Sequence, residues 1–149
     1  MSEQLAGTAE RARFEYQQLK ALATAALAAE QKSVNVEAAW RSVLAMALAG
    51  LGENEVAVGQ AQRAIATLSD VNDALEGPGW QYYLAMTYAM TGNAAKAVPI
   101  LDRLVHSPSS LLTIELSKLD PVWDPLRQDT RFRTLLAEGG ATAPAIASP

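Results

Sequence analysis

LAMALAGLGENEVAV at residues 44–58 and LAMTYAMTGNAAKAV at residues 84–98 decide how this chain is read. Laid over one another they agree at seven of fifteen positions: Leu44/Leu84, Ala45/Ala85, Met46/Met86, Ala49/Ala89, Gly52/Gly92, Ala57/Ala97 and Val58/Val98. An alanine-rich chain would give roughly two by chance, so the agreement points to duplication of a structural unit. That unit reads as helix–turn–helix. Gly52 and Gly92 can take the left-handed conformation that ends a helix. Ala45/Ala85 and Ala57/Ala97 are small where two helix backbones must approach. Leu44/Leu84, Leu48/Tyr88, Ala61/Leu101 and Ala64/Leu104 follow three- and four-residue spacing and fill the space between a hairpin and its neighbours.

Working outward, the first thirty residues read as one long helix. Leu5, Ala9, Ala12, Tyr16, Leu19, Ala23 and Ala26 line one narrow face of it. Ser33 or Asn35 can cap a second helix over 36–51, and a third runs over 54–68. Gly77-Pro78 starts a fourth, centred on Trp80 to Met90, and Ala94 to Val105 is a fifth, which Pro99 is expected to kink. Shorter helical pieces follow over 109–118, 121–126 and 129–137. Residues 138–149 hold Gly, Ala, Ser and Pro without periodicity and read as a disordered tail. The expected organisation is one helical domain over 1–137, with repeats at 36–69 and 78–107 and a C-terminal cap at 108–137.

Composition agrees with helices. The 149 residues include 29 alanines and 19 leucines but only 6% aromatics, a mixture that enters helices readily and fills sheets poorly. Half the chain is apolar and 19% is charged, which argues against wholesale disorder. Without cysteine there are no disulfides, thiolate metal sites or cysteine nucleophiles, and one histidine, His106, cannot make a two-histidine metal site. A net charge of −4 is the wrong sign for general nucleic-acid or anionic-membrane affinity. The polar start and the short alanine run at 21–29 fit neither a signal peptide nor a membrane span, so the expected setting is cytoplasmic.

The pattern at Leu84, Ala85, Tyr88, Gly92 and Ala97, and again at Leu44, Ala45, Leu48, Gly52, Ala57 and Ala64, resembles the tetratricopeptide repeat family. The copies lie forty residues apart (Gly52 to Gly92), against about 34 in the standard repeat, and the surplus falls between Ser69 and Trp80. Ser69 stands where the family usually ends a repeat with proline. The run Asp73–Pro78, the second repeat, Leu119–Arg127 and Arg131-Phe132 together resemble the C-terminal repeat region of bacterial multidomain signalling proteins. Those carry a Ser/Thr kinase, a nucleotide cyclase or a winged-helix module at the other end, and none of these modules is present here. The resemblance covers roughly residues 9–137. It implies an all-α, right-handed solenoid of helical hairpins, about two repeats with an N-terminal helix and a C-terminal cap, acting as a stand-alone scaffold or a piece of a larger signalling protein.

By the family's register the first helix of each repeat lines a concave groove. The inward positions are then Ala39, Ser42, Met46 and Ala49, and Tyr82, Met86 and Ala89. Two methionines beside a tyrosine and small residues make an adaptable apolar surface, suited to a peptide or helix of a partner protein. Asp120-Pro121-Val122-Trp123-Asp124-Pro125-Leu126-Arg127 reads as a structural cap. Its aspartates accept orphan N–H groups, its prolines pre-set φ, and Trp123, Leu126 and Phe132 anchor it over the last repeat. Arg127 and Arg131 are placed to pair with Asp120, Asp124 or Asp129. His106, at the end of the fifth helix, suits the last carbonyls better than catalysis. No catalytic residue, cofactor or metal site is expected. The expected function is protein–protein recognition, with homo-oligomerisation through the Leu5–Ala26 stripe as the alternative.

Overall fold

Two hairpin turns, forty residues apart, are built from the same hydrogen bonds. In the first, Gly52 N–H donates to the Ala49 carbonyl at 3.0 Å and Glu53 N–H to Leu48 at 2.9 Å. In the second, Gly92 N–H donates to Ala89 at 3.0 Å and Asn93 N–H to Tyr88 at 2.7 Å. Both glycines have positive φ, 81° and 73°, a region where a Cβ meets the following carbonyl. This paired closure satisfies carbonyls that the helix end leaves open, and it reverses the chain within three residues.

The computed structural model describes residues 2–30, 33–68, 77–107 and 112–138. All regular structure among them is helical: α1 (Ser2–Ala28), α2 (Val34–Gly50), α3 (Asn54–Leu68), α4 (Gly77–Met90), α5 (Ala94–Val105), α6 (Ile114–Leu119), a 3₁₀ segment (Pro121–Leu126) and α7 (Thr130–Glu138). None of these helices is long and apolar enough to cross a membrane. Side chains supply the N-caps. Ser33 Oγ accepts from Val36 N–H at 3.3 Å, Asn93 Oδ1 from Lys96 N–H at 3.3 Å, and Thr113 Oγ1 from Leu116 N–H at 3.2 Å. Helix α2 starts two residues earlier than its spacing suggests, because Ser33 rather than Asn35 is the cap. Helix α5 continues through Pro99 to Val105. The helix expected over 109–118 begins only at Ile114, where Thr113 caps it. The segment between Ser69 and Trp80, where the extra repeat length falls, is described only from Gly77, and residues 108–111 and the tail over 139–149 lie outside the described residues.

Helices pack with their neighbours: α1 on α2, α2 on α3, α4 on both α2 and α3, α5 on α4, and the 3₁₀ segment and α7 on the last hairpin. The duplicated positions do the same work twice. Ala45 and Ala85, and Ala57 and Ala97, are fully buried, while Leu48 and Tyr88, Ala61 and Leu101, and Ala64 and Leu104 are buried as pairs. One aligned position where the copies differ has a visible reason. Gly50 takes the place that Met90 has in the second copy, and a Cβ at Gly50 would overlap the Tyr16 ring of α1. The missing side chain lets α1 lie against α2. Two cores result. The first, Ala23, Leu44, Leu48, Ala49 and Ala57, is small and mostly alanine. The second, around Tyr88, Leu101, Trp123, Leu126 and Phe132, holds the large side chains.

Candidate functional site

The surface formed by the first helix of each hairpin is where recognition is expected, and it is divided by burial. Helices α2 and α4 are in contact. Ser42, Ala49 and Ala89 are buried, with Ser42 Oγ donating to the Ala38 carbonyl at 3.0 Å. Ala39, Met46 and Met86 are half-buried. Small residues are thus buried, while the two methionines stay half-buried at equivalent places on α2 and α4, Met86 packing partly against the second core.

Tyr82 is turned to the cap. Its ring meets the Trp123 ring edge-on, with centroids 5.7 Å apart, and the Asp120 carboxylate lies near enough to act on its hydroxyl. Burial first, and then the negative charge of Asp120, raise the Tyr82 pKa above the ordinary 10.0. Trp80 and Tyr83 continue the aromatic row, at 6.2 Å from each other, with Tyr83 at 5.8 Å from Tyr82.

The cap follows from its Asp-Pro pairs. Asp120 Oδ1 accepts from Val122 N–H at 3.0 Å, and Pro121 occupies the first position of the 3₁₀ segment, where its missing N–H leaves nothing unsatisfied. Pro125 sits inside the segment. Asp124 takes a different task, an ion pair with Arg127 at 2.6 Å, and Arg127 also donates to the Lys118 carbonyl at 2.9 Å. That arginine ties the 3₁₀ segment to α6. Trp123, Leu126 and Phe132 are fully buried against α4 and α5. Asp129 caps α7, accepting from Arg131 and Phe132 N–H at 2.9 and 3.3 Å. The Arg131 guanidinium at 2.9 Å holds its carboxyl below the usual carboxylate range.

The other candidates have local partners. His106 Nδ1 lies 2.7 Å from the Asp102 carbonyl, at the end of α5. Arg127 and Arg131 are in ion pairs, and Arg133 donates to Thr130 Oγ1 at 3.4 Å, so each member of the basic cluster is engaged within the cap. Among the described residues no three His, Asp or Glu side chains gather as a metal site. Polar ties between helices were not legible from the sequence. Arg41 pairs with Glu37 at 2.6 Å and reaches Gln60 of α3 at 3.0 Å, Gln62 Nε2 of α3 donates to the Tyr88 hydroxyl of α4 at 3.1 Å, and Lys20 of α1 pairs with Glu53 at 2.7 Å. Their only advance signal was polar residues inside otherwise apolar helices.

Part of the Leu5–Ala26 stripe of α1 is used inside the fold, while Ala9 and Leu19 are exposed. Tyr16 lies over Gly50, Ala23 is fully buried in the first core, and Ala12 and Ala26 are half-buried. Searches of protein-family models, curated proteins and solved structures find no match to this chain.

Proposed function

We propose that the chain is a tetratricopeptide-like stack of two helical hairpins, closed by the 112–138 cap, and that it recognises a protein segment without catalysis. The supporting observation is the pair of half-buried methionines, Met46 and Met86, at equivalent positions on adjoining helices whose neighbouring residues are buried. Methionine adapts its shape, so a surface of this kind gains affinity by moulding to an apolar helix or peptide. Tyr82, half-buried and in edge-on contact with Trp123, completes that surface. The setting proposed is cytoplasmic, and the partner is a separate protein or another domain of a larger signalling protein.

A photo-crosslinking residue at Met86, with one at exposed Arg103 as control, tests the reading. The expected outcome is a cross-link specific to position 86, whose peptide then binds the purified chain. Met86→Asp should lower that binding at least tenfold while leaving helicity intact. Equal cross-linking from both positions, or unchanged peptide binding by the variant, refutes it.

A further inference from the structure

Three carboxylates of the cap are paired with cations, and Asp120 is not. Glu115 pairs with Lys118 at 2.9 Å, Asp124 with Arg127 at 2.6 Å and Asp129 with Arg131 at 2.9 Å, while Arg133 donates to Thr130. Among the described residues no lysine, arginine or histidine pairs with Asp120. Its Oδ1 accepts the Val122 N–H at 3.0 Å, and the residue is half-buried. A carboxylate that has given up part of its hydration without gaining a counter-ion is a place where a cation is favoured.

What surrounds Asp120 is aromatic. Its carboxylate lies near the Tyr82 hydroxyl, and the Tyr82 ring stands edge-on to Trp123 at 5.7 Å and to Tyr83 at 5.8 Å. Trp80 extends the row, 6.2 Å from Tyr83 and inclined to it at 51°. Trp123 is fully buried, but Tyr83 is 39% exposed and Trp80 and Tyr82 are half-buried, so the row opens to solvent along α4. Aromatic faces carry the negative part of the ring quadrupole and attract cations, best where water is partly excluded. Rings and carboxylate therefore reinforce one another. The positive pole of α4 does not offset them, because its influence is confined to the first turn after Gly77, and Tyr82 and Tyr83 lie beyond it. Of the two protein cations, guanidinium fits better: it is planar, lies flat on an aromatic face and offers a carboxylate a fork of N–H donors. Tyr82 and Tyr83 precede Met86 by four and three residues, so they stand about one turn from it on the same side of α4.

We infer that the partner presents a helix bearing an arginine, seated against Tyr82 and Tyr83 and paired with Asp120, one turn from the apolar side chain that covers Met86. This pairing rests on the Met46–Met86 surface proposed above and names the chemistry of its ligand: an arginine and a large apolar residue three or four positions apart. A library of random helical peptides displayed on phage, selected against the whole chain, tests it. The expected peptides carry that spacing. Asp120→Asn keeps an N-cap acceptor for the 3₁₀ segment while removing the charge. It should weaken a selected peptide about tenfold in fluorescence anisotropy with unchanged circular dichroism, and Tyr83→Ala about fivefold. Replacing the peptide's arginine with glutamine should abolish the difference between wild type and Asp120→Asn. Selected peptides that bind Asp120→Asn as tightly as wild type, yet lose binding to Met86→Asp, overturn this inference and leave the apolar surface standing. Equal losses for the arginine and glutamine peptides on Asp120→Asn also overturn it, because Asp120 then acts only through the fold. A library that yields no binder overturns both readings.

Discussion

Replacing Gly50 with alanine should destabilise this protein, although the same change stabilises an ordinary helix. Within a helix, glycine is worse than alanine by about 0.5–1 kcal/mol, so the backbone alone predicts a gain. Against it stands the Tyr16 ring, three atoms of which would overlap the new Cβ. Either the ring swings off α2 or α1 lifts away, and overpacking of this kind costs about 1–3 kcal/mol. The net loss is about 1–2 kcal/mol, which for a domain of this size lowers Tm by roughly 4 °C. Tyr16→Ala removes the obstacle. In that background Gly50→Ala should raise stability by up to about 1 kcal/mol, a coupling of about 1–3 kcal/mol between the two positions. Urea denaturation of the four proteins, followed by far-ultraviolet circular dichroism, measures the cycle. The same sign and size for Gly50→Ala in both backgrounds would refute the docking of α1 described above.

Two further outcomes concern the cap. Trp123 is fully buried, and its indole N–H has no hydrogen-bond partner among the described residues. Trp123→Ala should therefore cost about 3–5 kcal/mol, whereas Trp123→Phe, which keeps an aromatic ring and removes an unsatisfied donor, should cost no more than about 1–2 kcal/mol; equal losses in thermal denaturation would contradict the packing account. Tyr82 has a folded-state pKa raised above 10.0, so the native protein holds the phenolic proton more tightly than the unfolded chain. Its contribution is fully present below pH 10.0 and is lost as pH rises through the higher folded value. Denaturation midpoints should fall more steeply above pH 10.0 in wild type than in Tyr82→Phe, and identical profiles would show that the tyrosine is not held by burial and Asp120.

What could be read in advance was local in sequence. The hairpin turns were legible because a positive-φ glycine leaves the same mark twice, and the buried small residues were legible because each copy vouches for the other. The start of the 3₁₀ segment was legible through Asp120 and Pro121, whose N-capping role depends on neighbours one or two residues away. What escaped depends on register between distant segments. The spacing of α1 marked the face bearing Tyr16 and Ala23, yet nothing in it said that this face meets Gly50, thirty-four residues from Tyr16. Repeat register placed Tyr82 with the groove, but a register taken from one hairpin contains no information about Trp123 and Asp120, which fold back from forty residues on. Arg41 and Gln60 likewise meet only because two helices cross at one height.

The uneven distribution of side-chain volume bears on function more directly than the repeat itself. The last hairpin is closed by Trp123, Leu126 and Phe132, all fully buried, so that end of the stack has a hydrophobic plug of its own. The first end has no equivalent. Its buried core is Ala23, Leu44, Leu48, Ala49 and Ala57, with Leu27, Trp40, Val43 and Met90 packed half-buried against it, and its outermost helix presents Phe14 and Leu22 to solvent. Where helical hairpins pack side by side, each is stabilised chiefly by its neighbours. The C-terminal cap supplies such a neighbour from within the chain.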